Sequence, residues 1–551
     1  MVVRQLPRIA VSTDPMVTER RLSHLVALLA ARGRLRDDSR LHDADAADDP
    51  AIDRVAYDSR RVGPGGLFVA LRGRESDGHA HAGEAVSRGA VAVLCETFIP
   101  DLDVPQIRVD EGRGALALAA AWQAGFPSRD LGVVGITGTD GKTTTAYLVR
   151  AILEATQGRC GLVGTIDIVV GGRSLGNPAR ATTPEAPELQ GYLAGMRDAG
   201  DRWAVVESTS HGLAQQRVGE VAYDVAVHTN VTSEHLEFHA TLEAYVAAKE
   251  SLFRRLAVSE GNPEKGLGKH AVVNADDPQA ARFERVARVA GARVLRYGVA
   301  LDSTGATPPD LAARGIEEGP AGLRFRARVG RWEGRVVLRL AGRFNVHNAL
   351  AALGVADALG IDPGAAAAAL AAVGSVPGRM QRVDLGQPFS VVIDYAHTAD
   401  SLAKVLDELR PREGSAGGLI AVFGSAGERD TQKRAPMGRV AGERCQLVVV
   451  THEDPRREDG WGILEAIASG AEQAGKVRGQ DLLVIPDRFE AIGTAISRAR
   501  PGDVVLLAGK GHERSIEMAH GPQPWDEDAA VRSALRAAGF GGDDAGVWQG
   551  T

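Results

Sequence analysis

The sequence predicts an α/β protein of three domains built on mainly parallel sheets. Three observations carry that expectation. Short apolar runs of the kind found in strands buried on both faces recur along the chain, among them "LGVVGIT", "WAVVES", "DVAVHTN", "HAVVNA", "CQLVVVT" and "DVVLLAGKG". Most of them pass through a loop into helix-patterned sequence, which is how parallel strands are joined. The chain has 551 residues, more than one hydrophobic core organises.

In chain order, residues 1–50 form an extension. In "RRLSHLVALLAA" (20–31), Leu22, Leu25, Val26 and Leu29 fall at i, i+3, i+4 and i+7, which predicts an amphipathic surface helix. Ser23 and His24 interrupt the apolar run and argue against a secretion signal. The acidic "RDDSRLHDADAADDP" that follows is too polar to pack and is expected to be poorly ordered. Residues 51–128 supply short strands, the turn signal "GPGG" and the alanine-rich helix "GALALAAAWQAGF", closed by the linker "FPSRD". Residues 129–376 open with "LGVVGIT", pass a glycine loop into the helix "KTTTAYLVRAILEAT", and end in the helix "HNALAALGVADALG" and an alanine-rich segment. "SVPGRM" marks the next boundary. Residues 377–551 contain "FSVVIDYA", "GLIAVFG", "CQLVVVT", "DLLVIPD" and "DVVLLAGKG", the pattern of a Rossmann-like domain.

Composition narrows the class. Hydrophobic residues make up 44%, charged residues 25%, and the formal net charge is -7, which excludes a general nucleic-acid or membrane-surface binder. No apolar run approaches a membrane span. Cys95, Cys160 and Cys445 lie far apart without metal-ligand spacing, as in a reducing compartment, and the expected location is the cytoplasm.

The chemistry starts at "GITGTDGKTTT" (135–145). Glycines between a strand and a helix let backbone N–H groups approach an anion, and the positive end of the helix dipole faces it. Gly138, Thr139, Asp140, Gly141, Lys142, Thr143 and Thr144 would then cradle a nucleotide phosphate, with Lys142 on the terminal phosphates and Thr143 on magnesium. Ile136 stands where the commoner phosphate loop has glycine. Asp140 is expected to cap the loop's own backbone and point away from the phosphates. Glu207 and His235 follow apolar runs, where magnesium ligands of a phosphoryl-transfer site belong. Taken singly, a histidine there is more often a structural hydrogen-bonder, and Lys249 an ordinary solvated helix residue.

Together these segments resemble the Mur ligase family, and within it the MurE type, over nearly the whole chain from about Leu22. The family's Gly-Thr-x-Gly-Lys-Thr loop is matched by Gly138 to Thr143, its Asp-His-Leu-Asp-Tyr-His motif by "EHLEFH" with Phe238 for tyrosine, and its Tyr-x-x-Ala-Lys-x-x-Leu-Phe motif by Tyr245 to Phe253. The resemblance implies an N-terminal UDP-binding α/β domain, a central P-loop-type parallel-sheet ATPase domain and a C-terminal Rossmann-like, acceptor-binding domain. It also implies an ATP-dependent, magnesium-dependent ligase that adds the third stem residue to UDP-N-acetylmuramoyl-L-alanyl-D-glutamate, working as a monomer. The implied catalytic residues are Lys142, Glu207, His235 and Lys249. Thr143, Glu207, His235 and a carbamylated Lys249 would hold magnesium, and Asn348, Arg379 and Asp394 would complete the ATP site.

Tyr57, Ser59, Arg74, Glu75 and Ser76 fall on uridine-contacting positions. Thr182, Thr183, Thr209, Gln215 and Arg217 fall on contacts to the muramoyl dipeptide, with Ala181 in place of an asparagine and Thr209 at a serine position. A folate-polyglutamate-type ligase shares the central fold but not the "YDSR" N-terminal domain. A catalytically silent nucleotide-binding partner is at odds with intact Lys142, Glu207, His235 and Lys249.

The acceptor loop is "VTHEDPRREDG" (450–460), with four acids and two arginines. Glu453, Asp454, Pro455 and Arg456 stand where diaminopimelate-adding members carry Asp-Asn-Pro-Arg, and Arg429, Gly509 and Glu513 match the other acceptor contacts. Arg456 would hold a distal carboxylate, whereas Asp454 in place of asparagine adds a negative charge that favours an ammonium end. The acceptor is expected to be L-lysine or L-ornithine, or else meso-diaminopimelate; alternatively Asp454 only pairs with Arg456 or Arg457.

Overall fold

Runs rich in Val, Ile and Leu become the interiors of three sheets in the computed structural model, which describes residues 19–36, 49–73, 76–177, 181–232, 236–258, 265–299, 308–319, 322–411 and 417–541. Arg74, Glu75 and His235, and most of the acidic stretch before Pro50, lie outside the described residues. The described parts of 1–314, 327–334 and 347–369 form one compact unit, and those of 315–326, 335–346 and 370–551 a second.

The first unit opens with the helix Leu22–Ala31, whose apolar stripe buries Leu22, Leu25 and Leu29 as its spacing requires. Strands β1 (Arg54–Ala56), β2 (Gly66–Val69), β3 (Ala90–Cys95) and β4 (Gln106–Arg108) follow as a four-stranded parallel sheet in sequential order. The alanine-rich helix Gly112–Ala124 packs on it, and small side chains let helix and sheet approach closely.

The second sheet contains β5 (Gly132–Thr137), β6 (Cys160–Val163), β7 (Ile168–Val170), β8 (Arg173–Ser174), β9 (Trp203–Glu207), β10 (Val225–His228), β11 (His270–Asn274) and β12 (Arg293–Gly298), then β13 (Leu311–Gly319), β14 (Gly322–Val329) and β15 (Trp332–Leu338). Its order is β15-β14-β13-β12-β11-β10-β5-β9-β6-β7-β8. Strands β12, β11, β10, β5, β9 and β6 run parallel, with β5 between β10 and β9. Register sets Ile136 beside Glu207 and Thr137 beside His228, so three loops leave the same carboxyl edge together. The helix Leu242–Val258 buries Tyr245, Val246, Leu252, Phe253 and Leu256. Lys249 is four residues from both Tyr245 and Phe253, so the helical period turns it onto that buried face rather than into solvent.

In the second unit, β16 (Gln381–Val383), β17 (Ser390–Ile393), β18 (Leu419–Phe423), β19 (Leu447–Val450), β20 (Leu482–Val484) and β21 (Val504–Leu507) form a six-stranded sheet in the order β16-β17-β21-β18-β19-β20, parallel except for β16. Helices cover both faces. A hairpin, β22 (Ser515–Met518) and β23 (Gly521–Pro524), follows β21. Strand β21 stands between β17 and β18, and the loops beyond Leu507, Phe423 and Val450 share one edge, where open α/β sheets bind ligands.

Candidate active site

The phosphate loop joins β5 to the helix Lys142–Thr156. Gly141 caps that helix with φ +81°, and a Cβ there would stand 2.4 Å from the Asn348 Oδ1, so only glycine fits. Asn348 in turn accepts from the Thr145 hydroxyl at 3.3 Å, which ties the helix beginning at Asn345 to the loop. The Lys142 Nζ donates to the carbonyls of Gly138 and Thr139, at 2.9 and 2.7 Å. The Lys249 Nζ, 1% exposed, donates to the same Gly138 carbonyl at 2.6 Å and stands 4.4 Å from the centre of the Tyr245 ring. Two amines therefore meet one carbonyl at the N-terminus of a helix, a concentration of positive charge suited to a polyanion.

The Tyr245 hydroxyl bonds the Thr139 hydroxyl at 3.0 Å and locks the far side of the loop. Asp140 is exposed; its N–H donates to Asn230 Oδ1 at 2.9 Å, and its carbonyl accepts from the Thr229 hydroxyl at 2.6 Å. Neighbouring side chains on the chain after β10 hold this residue's backbone.

Glu207 is the last residue of β9 and has no exposed surface. Its Oε2 accepts from the hydroxyls of Thr143 at 2.9 Å and Thr165 at 3.0 Å, and its Oε1 from the Thr165 N–H at 3.0 Å. Gly164 leaves the room: a Cβ there would lie 2.2 Å from Oε1. The Thr165 hydroxyl also bonds that of Thr182 at 3.0 Å. Beside it, the Thr183 hydroxyl donates to the Glu207 carbonyl at 2.7 Å and meets the Thr209 hydroxyl at 3.1 Å. Arg217 reaches the Thr183 carbonyl at 2.9 Å, Gln215 at 2.7 Å and Glu185 at 2.8 Å. Thr182 is thus wired to the same carboxylate as the phosphate loop through Thr165, a residue the sequence does not single out, while Thr183 is tied to the backbone carbonyl of Glu207, and Thr209 and Arg217 to Thr183. The only signal for Thr165 was "LVGT", an apolar strand ending in a glycine and a hydroxyl.

Among the described residues no cluster of three or more His, Cys, Asp or Glu side chains holds a metal unaided. A buried carboxylate beside a threonine hydroxyl is nevertheless a set of hard oxygen donors that fits magnesium. His228, at the end of β10, is buried, stacks on Phe283 with ring centres 4.0 Å apart, and has neither ring nitrogen hydrogen-bonded. Burial, and then the Lys249 charge, push it down to about 3, so it is neutral.

On the N-terminal sheet, the half-buried Tyr57 donates to Glu188 at 3.3 Å, Ser59 to Glu84 at 2.8 Å, and the exposed Ser76 bonds His81 at 3.0 Å. Glu188 lies on the helix that begins at Ala186, directly after the threonine segment.

In the second unit, the Asp394 carboxylate accepts from the N–H groups of Met380 and Ala396, at 2.9 and 2.8 Å, and burial raises its pKa. The Arg379 guanidinium lies 5.0 Å from the Tyr395 ring centre. The acids of "THEDPRREDG" divide their tasks. Asp459 caps the helix Gly460–Gln473, and Glu458 makes a two-pronged pair with Arg434 at 2.6 and 2.9 Å. Asp454 is 4% exposed and pairs with the Lys510 Nζ at 2.8 Å, not with Arg456 or Arg457; Arg457 pairs with Glu428 at 3.1 Å. Asp454 therefore presents no free charge of its own to a ligand.

Glu453 is buried, its pKa is raised by desolvation, and its Oε2 has no hydrogen-bond partner. Gly509, at φ +98°, packs where a Cβ would lie 2.7 Å from that oxygen. Arg456 adopts φ +57°, donates its N–H to the Glu517 carbonyl at 2.8 Å, and has a buried Nε without a partner. Arg429 is exposed on the loop after β18. Pro455 is buried between Asp454 and Arg456. Lys510, between Gly509 and Glu513, is a second residue, after Thr165, that the sequence does not single out.

Three family models cover these segments: the Mur ligase family catalytic domain at residues 51–122, the Mur ligase middle domain at 136–356, and the Mur ligase glutamate ligase domain at 378–511. A UDP-N-acetylmuramyl-tripeptide synthetase of Roseiflexus sp. (strain RS-1) is 48% identical over 498 residues, 90% of this chain and 96% of the relative. The chain belongs to the Mur ligase family. A second relative in the family, a UDP-N-acetylmuramoyl-L-alanyl-D-glutamate--2,6-diaminopimelate ligase of Syntrophomonas wolfei, is 41% identical over 469 residues, 84% of this chain and 91% of the relative. The solved structure of another ligase so named is 32% identical, with a TM-score of 0.62, and the match covers 89% of this chain and 95% of that one. The three-domain α/β architecture expected from the sequence agrees with these matches. Within this Mur ligase, no described helix is long and apolar enough to cross a membrane.

Proposed function

We propose that this Mur ligase uses ATP to join a diamino acid to the D-glutamate side-chain carboxylate of UDP-N-acetylmuramoyl-L-alanyl-D-glutamate, forming the tripeptide of peptidoglycan synthesis in the cytoplasm. One observation carries the reading: Thr165 links the phosphate loop's buried carboxylate, Glu207, to Thr182 of the dipeptide segment. Phosphate donor and carboxylate acceptor are thereby served by one hydrogen-bonded set.

A free carboxylate is a poor electrophile, so the γ-phosphoryl group of ATP passes to it, giving an acyl phosphate and ADP. The amine of the diamino acid then attacks the acyl carbon, and phosphate leaves as the amide forms. Lys142 and the N–H groups of the loop stabilise charge on the transferred group. Glu207 and Thr143 would hold magnesium, together with Lys249 as a carbamate and His235. Magnesium, when bound, supplies charge neutralisation at the phosphoryl oxygens. Lys249 suits that role because it is almost fully buried beside the loop and is brought there by the helix face it occupies. Tyr57, Ser59, Arg74, Glu75 and Ser76 bind the uridine end, Thr182, Thr183, Thr209, Gln215 and Arg217 the dipeptide, and Asn348, Arg379 and Asp394 serve the ATP site. The acceptor is held by the loop segments carrying Arg429, Glu453, Pro455, Arg456, Gly509 and Glu513, with Asp454 behind them, paired to Lys510 rather than in contact with the ligand.

The test is ADP release measured with each substrate omitted in turn. Turnover that requires the UDP-muramoyl dipeptide and a diamino acid supports the reading. Turnover with a folate and glutamate, or no substrate-dependent turnover, overturns it. Comparing kcat/KM for L-lysine, L-ornithine and meso-diaminopimelate identifies the acceptor.

A further inference from the structure

Lys510 sits in the loop after β21, between Gly509 and Gly511, and its side chain has no exposed surface. A buried ammonium needs an anion, and one would suffice. Lys510 has two: Asp454 Oδ1 at 2.8 Å, and Glu513 Oε2 in direct contact. The Asp454 side chain is 6% exposed, and its Oδ1 also accepts the Glu517 N–H at 2.8 Å, so it is committed inward. The Glu513 side chain is 21% exposed, and its Oε1 accepts from the Tyr395 hydroxyl at 3.3 Å. Of the three groups, Glu513 has the most surface to offer a ligand. One cation between two carboxylates leaves the trio with a formal charge of one negative. An asparagine at 454 would instead leave Lys510 and Glu513 as a neutral pair.

We infer that Lys510 is a positioning residue that divides its charge between Asp454 and Glu513, so that Glu513 keeps negative charge for the ammonium of the incoming amino acid. Asp454 thus acts on the acceptor through Lys510 without touching it. The inference rests on the reading of Glu513 as an acceptor contact.

The experiment is a steady-state comparison of the full chain with Asp454→Asn and with Asp454→Asn/Lys510→Met, using L-lysine, L-ornithine and meso-diaminopimelate as probes. Asp454→Asn, which conserves shape, raises the acceptor KM about tenfold while the KM for ATP serves as internal reference. The double variant removes one charge of each sign from the trio, restores its single negative charge at Glu513, and brings the acceptor KM back to within about threefold of the parent. A merely structural ion pair predicts changes in unfolding midpoint for the two variants while the acceptor KM stays at the parent value. An acceptor KM unchanged by Asp454→Asn, or one that worsens further in a double variant shown to be folded by its unchanged ATP KM, overturns the inference. Should the parent chain turn over none of the three amino acids, the acceptor reading itself falls and this inference falls with it.

Discussion

Thr165→Val tests the link between phosphate site and donor substrate with little change in shape. Valine matches threonine in volume and branching, so no cavity opens, and the backbone N–H that donates to Glu207 Oε1 at 3.0 Å survives. What is lost is the hydroxyl that donates to Oε2 at 3.0 Å and meets Thr182 at 3.0 Å. Each hydroxyl has one proton. A consistent assignment sends those of Thr143 and Thr165 to Glu207 and that of Thr182 to Thr165. A hydrogen bond to a charged group contributes about 1.5–3 kcal/mol, so a step that depends on where Glu207 sits should slow by about 10- to 150-fold. Coupled detection of ADP release gives kcat, and thermal unfolding checks that the fold is kept. Thr165→Ser, which returns the hydroxyl, should recover most of the rate. A valine variant with kcat within twofold of the parent would refute the argument that this hydroxyl orients Glu207.

Three further outcomes follow from the same geometry. If Lys249 holds magnesium as proposed, Lys249→Ala should cost about 100-fold or more in ligase activity; because the side chain is also buried, partial rescue by short carboxylic acids separates loss of a metal ligand from loss of packing, and near-normal turnover would sink the carbamate reading. Glu527→Gln strands Arg488, whose pair with Glu527 at 2.6 Å has no exposed surface and which also reaches the Ala508 carbonyl, so denaturant titration should find about 3–5 kcal/mol lost, far more than for an exposed pair. His228 has its pKa held down near 3 from an ordinary 6.5. As pH falls below 6.5, the unfolded chain takes up a proton that the native site refuses, and stability is lost by about 1.4 kcal/mol per unit until pH nears 3. His228→Leu should remove that slope, and parallel stability curves for parent and variant between pH 6 and about 4 would contradict it.

The sequence by itself determined the central parallel strands, the helices that follow them and the phosphate loop. Strand runs such as "LGVVGIT" are apolar throughout because they are covered on both faces, and the loop glycines Gly138 and Gly141 mark places where no Cβ fits. The same local rules missed the hairpin strands β14 and β15, whose alternating arginines, as in "LRFRARV", keep one face in water and dilute the apolar signal. Lys249 shows the boundary between the two kinds of knowledge. Its i+4 spacing from Tyr245 was legible, but which face of that helix is buried depended on the sheet beneath it.

Tertiary structure alone decided who pairs with whom. Asp454 looked from the sequence like an extra charge for the acceptor, with Arg456 and Arg457 as its nearest cations, yet it pairs with Lys510, which lies fifty-six residues away. Parallel order puts the ends of β19 and β21 on one edge although β20 and two helices lie between them in sequence. Thr165 acquired its place at Glu207 in the same way, because β6 lies beside β9 and delivers its loop to the carboxylate. Hydrogen bonds and ion pairs are short-ranged, so a partner distant in sequence is invisible until strand order brings it within 3 Å or so.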